Sequence, residues 1–314
     1  LVGGTGAATR GFVRATAEAR RAEAISGFLT NLLASVRPDE QGRTVTVREV
    51  LDGARGRLVA GEFAGDPETE ASLALVIGHS YEGLGQYDMA RELIERSLDL
   101  RRGLHHPDDP RVYQSLYRLG TVLWKQGTLE EALAVRLELA DMTERTVGPA
   151  HLDHAESLSN LGNTYADMGE LGLAAEQLRQ AVQVARRVPP GDGELDLARF
   201  LNNLGTVYFD QEAFVQAIAA LEEALRIRGR RLGEENDTYA ITLVNLANAQ
   251  LRLGNLDDAE RMLRRAVPLE ERIFGEDHPS TAYAYSALAE VLLRRGSPEG
   301  AEPYVRRALA IRAA

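Results

Sequence analysis

A chain of 314 residues, 44% hydrophobic and 26% charged, has room for one to three domains and a large core. Its formal net charge of −11 gives no overall field for nucleic acid or an anionic membrane surface, and the absence of cysteine removes disulfides, thiolate metal sites and cysteine nucleophiles together. No apolar run is long enough to span a bilayer, and the low aromatic content (6%, one Trp) leaves the core to Ala and Leu, which suits close-packed helices.

The chain opens with LVGGTGAATRG, residues 1–11. Glycines at this density can form a dinucleotide-binding loop, but that loop needs a strand before it and a second strand after its helix. Only Leu1 and Val2 precede Gly3, and the following GFVRATAEARRAEA leads into helix. The stretch reads instead as the trailing end of a membrane or signal segment, giving way to Arg10 and Arg14. A start at Leu1 rather than Met leads us to expect a processed product or a fragment.

Residues 12–36 predict an Ala/Arg-rich helix ending in FLTNLLASV. A second helix begins in TVTVREVLDGARGRL, where Thr46 and Glu49 have capping-box spacing. Asp66 and Pro67 suit the N-cap and first turn of the next helix. Residues 12–66 are therefore expected to be a helical pair that caps the N-terminal end of the remaining chain.

From residue 67 onward the chain repeats. Gly78, Gly120, Gly162, Gly205, Ala247 and Ala289 are separated by 42, 42, 43, 42 and 42 residues. Gly85, Gly127, Gly169, Glu212, Gly254 and Gly296 keep the same steps, as do Ala90, Ala132, Ala174, Ala217, Ala259 and Ala301. In LSNLGNTYADMGELGLAAEQLRQA, Leu158, Leu161, Gly162 and Tyr165 fall at helical spacing, and Gly169 ends that helix. A second helix then carries Ala174, Leu178 and Ala181 on one face. The small residues mark helix crossings, where a larger side chain would push the axes apart. The segment from Leu201 to Leu225 follows the same pattern but has Glu212 at the turn position, which predicts local backbone strain. The 43-residue step is absorbed by VPPGDGELD, residues 188–196.

This pattern resembles the tetratricopeptide repeat, whose signature runs W-x2-L-G-x2-Y and then A-x3-F. The 42-residue unit and the GEDHP loop at Gly275–Pro279 are similar to the kinesin light chain type. The resemblance covers residues 67–314. It implies an all-α, right-handed superhelical solenoid of six helix-turn-helix repeats, starting near 67, 110, 152, 194, 237 and 279. A second resemblance lies in AISGFLTNLLASVRPDEQGRTVTVREVLDGARGRL, which looks like the region joining membrane span to repeats in large bacterial Ser/Thr kinases. No kinase motif is present, so it implies origin rather than catalysis, with the repeats extracytoplasmic or membrane-proximal in a bacterium and a cytoplasmic location as the alternative.

Little in the sequence points to chemistry. Of the six histidines, five are placed in loops between repeats, and His151 and His154 in HLDH lack a third metal ligand nearby. No HExxH, P-loop or G-x-S-x-G occurs. No metal, cofactor or enzymatic activity is expected. Glu92/Arg96 and Glu260/Arg264 have the spacing of helix-supporting ion pairs.

The concave groove implied by the resemblance carries the functional expectation. The side chains around the small residue of each first helix would line it: Asn160 and Asn163, Asn202, Asn203 and Thr206, then Asn245 and Asn248. Such amides both donate and accept, so they can clasp the backbone of an extended peptide, or they can bond to neighbouring helices. Arg118, Lys125, Asp167, Asp210, Arg252 and Arg294 would add a mixed-charge lining, with Trp124 and Phe209 as apolar anchors or core. Six first helices about 10 Å apart would make a groove of roughly 50 Å, the length of about 15 extended residues.

Val305, Leu309 and Ile311 on the last helix would present an apolar end. Pro268 and Pro303 are expected to kink or shorten their helices. The expected function is protein–protein interaction through the groove, with a protein or peptide as partner. The alternative is head-to-tail self-assembly through the solenoid ends into a homo-oligomer or filament.

Overall fold

A computed structural model describes residues 46–313 apart from Pro190 and Asp192, together with residues 26, 27 and 30. The expectation for the tail at 1–11 falls outside the described residues, as does that for the helix at 12–36 except at residues 26, 27 and 30, which are helical. Thirteen α-helices and no strand occur among the described residues. They are α1 (Val47–Val59), α2 (Pro67–Gly83), α3 (Tyr87–Leu104), α4 (Pro110–Gln126), α5 (Leu129–Thr146), α6 (Leu152–Asp167) and α7 (Leu171–Ala185). There follow α8 (Glu194–Asp210), α9 (Phe214–Leu232), α10 (Asp237–Leu253), α11 (Leu256–Phe274), α12 (Pro279–Arg294) and α13 (Pro298–Ala313). From α2 onward they alternate as first and second helices of a repeat, A and B.

The chain divides into two compact units, Leu1–Met142 and Thr143–Ala314. In the first, each of α1 to α4 packs on the next around Leu58, Ile77, Tyr81, Leu93, Ile94 and Leu123. In the second, α6 to α13 pack in sequence around cores that include Leu178, Phe200, Leu221, Leu263 and Tyr285. Within each unit successive A helices also touch: α2 with α4 in one, and α6 with α8, α8 with α10 and α10 with α12 in the other. A helices therefore form the closer-spaced row.

Local chemistry sets the boundaries. Thr46 and Glu49 form the capping box at α1. Asp66, Asp109 and Asn236 cap A helices by accepting backbone N–H bonds, with Pro67 and Pro110 in first turns. His151 and His278 do the same through Nδ1, which accounts for these two loop histidines without a metal. His154 is not in a loop: it lies in the first turn of α6, buried, with Nδ1 3.1 Å from Thr143 Oγ1.

The small residue of the A helix does what its spacing predicts. A Cβ on Gly78, Gly162 or Gly205 would stand 2.9, 2.8 or 2.6 Å from Ile94, Leu178 or Leu221 of the following B helix. At the turns, Gly85, Gly127, Gly169, Gly254 and Gly296 have positive φ, and Glu212 takes the same conformation at φ 60°.

Two expectations are corrected. Glu92 and Arg96 do not pair: Glu92 accepts from Arg55 of α1, and Arg96 donates to the buried Glu70 of α2. Contacts between helices outcompete a local pair that contributes a few tenths of a kcal/mol. Glu260 and Arg264 do pair, at 2.7 Å. Pro268 and Pro303 do not shorten α11 or α13, which run on to Phe274 and Ala313. Both prolines are exposed, so the carbonyls they leave unbonded, at exposed Arg264 and Glu299, are open to water.

A polar link recurs eleven residues after the B-helix alanine. Arg101 donates to Arg111 O and Ser115 Oγ of the next A helix; Arg228 donates in the same way to Thr238 O and Thr242 Oγ1. Burial pushes the Arg228 guanidinium down to about 10. At this register in α11 stands Glu270, fully buried, with no hydrogen-bond partner for either carboxylate oxygen. Burial raises its pKa, against smaller opposing effects of Ser280 and His278 at the start of α12.

Candidate functional site

The candidate groove residues fall into both units, and each set has its own chemistry. In the first unit Arg118, Trp124 and Lys125 lie on α4. Lys125 Nζ donates to Glu82 Oε1 at 2.7 Å, Arg118 Nη1 stands 3.9 Å from the same carboxylate, and His79 Nδ1 lies 3.0 Å from it. Burial works to raise the pKa of Glu82, but the bonds from Lys125 and His79 prevail and hold it below the usual range. The two cations expected to face a partner thus answer a buried acid. Trp124 is 37% exposed rather than core, and the guanidinium of buried Arg136 lies 5.5 Å from its ring centre. Arg136 occupies the register held by Ile94, Leu178, Leu221 and Leu263 in other repeats.

In the second unit the amide series divides. Asn245 Nδ2 donates to Asn202 Oδ1 at 3.4 Å, and Thr242 Oγ1 lies 3.2 Å from the same oxygen while 2.8 Å from Thr238 O of its own helix, so this part of the ladder joins α8 to α10. Asn248 Nδ2 bonds to Val244 O and Thr206 Oγ1 to Asn202 O, each within its own helix. Asn160 is engaged as well. Asn163 on α6 and Asn203 on α8 are half-buried, and their side chains have no hydrogen-bond partner among the described residues.

The charged positions also separate. Arg294 is tied to Glu290 and Leu251 O, and Asp167 is engaged. Asp210, the last residue of α8, has no hydrogen bond or ion pair among the described residues, and desolvation raises its pKa although it is exposed. An exposed yet desolvated carboxylate is what a concave wall produces: neighbouring atoms displace water without covering the group. Arg252 has no polar partner among the described residues either. Its guanidinium lies 5.8 and 5.7 Å from the ring centres of Phe209 and Phe214, which meet edge to face at 5.6 Å.

Sequence reasoning missed Tyr283, six residues before Ala289 on α12. It is 46% exposed, and desolvation raises its pKa, as does the nearby charge of Asp210. Its phenol has no hydrogen-bond partner among the described residues. Glu82 and Arg136 were missed as well, since neither breaks the hydrophobic pattern visibly.

At the end of α13, Leu309 is 60% exposed, whereas Val305 and Ile311 are half-buried against the core of the second unit. Among the described residues no cluster of metal-ligating side chains occurs, and no helix is long and apolar enough to cross a membrane. A cleft of about 860 Å3 in the first unit lies along α3, between Glu70, Asp88, Arg91 and Leu100, and shares no residue with the candidate set.

Comparison with known proteins places these repeats. A sequence profile described as Tetratricopeptide repeat matches residues 69–134, 111–187, 196–271 and 240–314, and a second of the same description matches residues 159–230. These matches begin at residue 69, and none supports the expected likeness of the preceding segment to bacterial Ser/Thr kinases. Among solved structures, BtubC (BKLC) from P. vanneervenii is similar with a TM-score of 0.61 at 23% identity, covering 72% of this chain and 91% of that one. TPR-like repeats of a Podospora anserina chain named a kinesin light chain give 0.55 at 21%, covering 67% and 97%. The apo form of RapI gives 0.65 at 14%, covering 92% and 98%. At these identities the likeness is one of fold. Among curated proteins none matches. Such repeats are usually non-catalytic and typically mediate protein–protein interaction, and no catalytic domain is identified in the matches. With profile matches running over most of its length and A and B helices alternating in register, the chain belongs to the tetratricopeptide repeat family.

Proposed function

We propose that this protein is a non-catalytic interaction scaffold that holds an extended peptide, or an extended segment of a partner protein, against the A-helix row of its second unit. The observation that carries this reading is the pair Asn163 and Asn203. They are half-buried amides on consecutive A helices whose donors and acceptors no protein group uses among the described residues. A partly desolvated amide gains from a partner that matches it, and a peptide backbone offers the matching N–H and C=O groups.

The test is selection of peptides on the full chain from a random twelve-residue displayed library, followed by affinity measurement on the Asn163→Ala and Asn203→Ala variants. Each variant is expected to weaken a selected peptide by about tenfold, the effect of roughly 1.4 kcal/mol, with an unchanged helical circular dichroism spectrum. Peptides that bind both variants as well as the parent would refute the reading.

A second reading is self-association through α13, favoured by the exposure of Leu309. Val305 and Ile311 already pack on the unit's own core, which leaves that reading one strongly exposed residue. Light scattering across a concentration series decides it: growth in mass abolished by Leu309→Glu supports stacking, and a constant monomer mass removes it.

A further inference from the structure

The A-helix register that ends each first helix changes sign within the second unit. Five residues after the small residue stand Asp167 and Asp210, then Arg252 and Arg294. Within that series Asp210 and Arg252 lie in adjacent repeats, and neither has a hydrogen bond or ion pair with the other or with any other described residue. Their surroundings hold them ready. The rings of Phe209 and Phe214 lie against the guanidinium of Arg252, and none of its N–H donors has a polar partner among the described residues. A guanidinium fixed in this way loses little side-chain freedom when it meets a carboxylate, and its fork matches that group. Asp210 sits where neighbouring atoms have already removed part of its water, so a cation arriving there restores lost solvation.

We infer that the second unit selects an extended segment carrying one acidic and one basic side chain, the acid seated on the fork of Arg252 and the base on Asp210. This rests on the peptide-binding reading above and specifies its partner. Successive A helices packed about 10 Å apart correspond to about three residues of extended chain, so the two charges stand about three positions apart. Because the two receptor charges are opposite, they also fix the direction in which the segment lies.

The same twelve-residue library tests this on the parent, on Arg252→Glu, on Asp210→Arg and on the double exchange. The parent is expected to enrich sequences with an acid and a base about three positions apart in one order, and each single exchange to weaken those sequences at least tenfold. The double exchange is expected to enrich the reverse order. Loss of binding without recovery of the reverse order overturns the inference, and helical circular dichroism of each variant separates that from misfolding. Enriched peptides with no charge pattern, still dependent on Asn163 and Asn203, overturn the inference and leave the scaffold reading standing. A library that yields no binder to the parent overturns both.

Discussion

Asn202 accepts at Oδ1 from Asn245 Nδ2 at 3.4 Å, a bond from α10 to α8, and Thr242 Oγ1, whose proton has a nearer acceptor in Thr238 O at 2.8 Å, stands 3.2 Å from the same oxygen. These bonds divide an asparagine series that is uniform in sequence. Asn202 and Asn245 hold adjacent repeats together, whereas the side chains of Asn163 and Asn203 have no hydrogen bond among the described residues. Asn245→Ala and Asn202→Ala are each expected to cost about 1 kcal/mol in urea unfolding, with the double variant less than additive because both remove the same contact. Asn163→Ala and Asn203→Ala are expected to stay within about 0.5 kcal/mol of the parent. Equal losses at all four sites would show that the division is wrong.

The contrast between Gly205 and Gly120 yields a second prediction. A Cβ at 205 would stand 2.6 Å from Cγ and 2.9 Å from Cδ2 of Leu221, a side chain buried in the core. At 120 the nearest atom is Cγ of Arg136, at 3.3 Å. Gly205→Ala is therefore expected to cost about 1–3 kcal/mol, since the leucine has no free volume to enter. Gly120→Ala is expected to cost under about 1 kcal/mol, because only a small shift is required. Denaturant midpoints for the two variants check the order, and a larger loss at 120 would reverse it.

Much of the fold was legible because its determinants are local and periodic. The series Gly78 to Ala289 marks helix crossings, the series Gly85 to Gly296 marks left-handed turns, and Thr46, Asp66 and Pro67 mark helix starts. The site was less legible because its state depends on which side chains meet across helices. Nothing local distinguishes Asn203 from Asn245, yet one has a partner and the other none. Arg118 and Lys125 read as free cations until Glu82, 43 residues before Lys125, proves to be buried beneath them. Tyr283 went unnoticed because a tyrosine in a helix is ordinarily core, and only the packed A-helix row exposes it.

Glu212 supplies a third prediction, on the backbone alone. It is the one non-glycine residue with positive φ among the described residues, at a turn where five other repeats have glycine. The left-handed conformation costs a non-glycine residue about 1–2 kcal/mol, part of which a glycine gives back as greater freedom in the unfolded chain. Glu212→Gly is expected to stabilise the second unit by roughly 0.5–1 kcal/mol, seen as a raised urea midpoint with an unchanged slope. A fall in midpoint would mean that the glutamate makes a contribution outweighing its strain.

Glu270 makes the last prediction, and its sign is set by burial. The carboxyl is fully buried, neither oxygen has a hydrogen-bond partner, and desolvation raises its pKa above the ordinary carboxyl range. A raised folded-state pKa means that the neutral acid is favoured in the fold. The associated stability is fully present below the unfolded-state pKa, about 4.3, and is lost as pH rises through the folded-state value. Glu270→Gln keeps the shape and stays neutral at every pH. The variant is therefore expected to differ little from the parent near pH 4 and to exceed it by about 1–3 kcal/mol at pH 7, the usual cost of an unsatisfied buried polar group or more. The nearby charge of His278 opposes the effect of burial on Glu270 and is the smaller influence. Urea unfolding of both proteins at matched pH values between 4 and 8 measures the difference directly, and effects of titrating groups that do not interact with Glu270 cancel in it. A gap that does not change with pH would place the effect in packing rather than in ionisation. A parent more stable than the variant at pH 7 would mean that the carboxylate is charged and has a partner in solution.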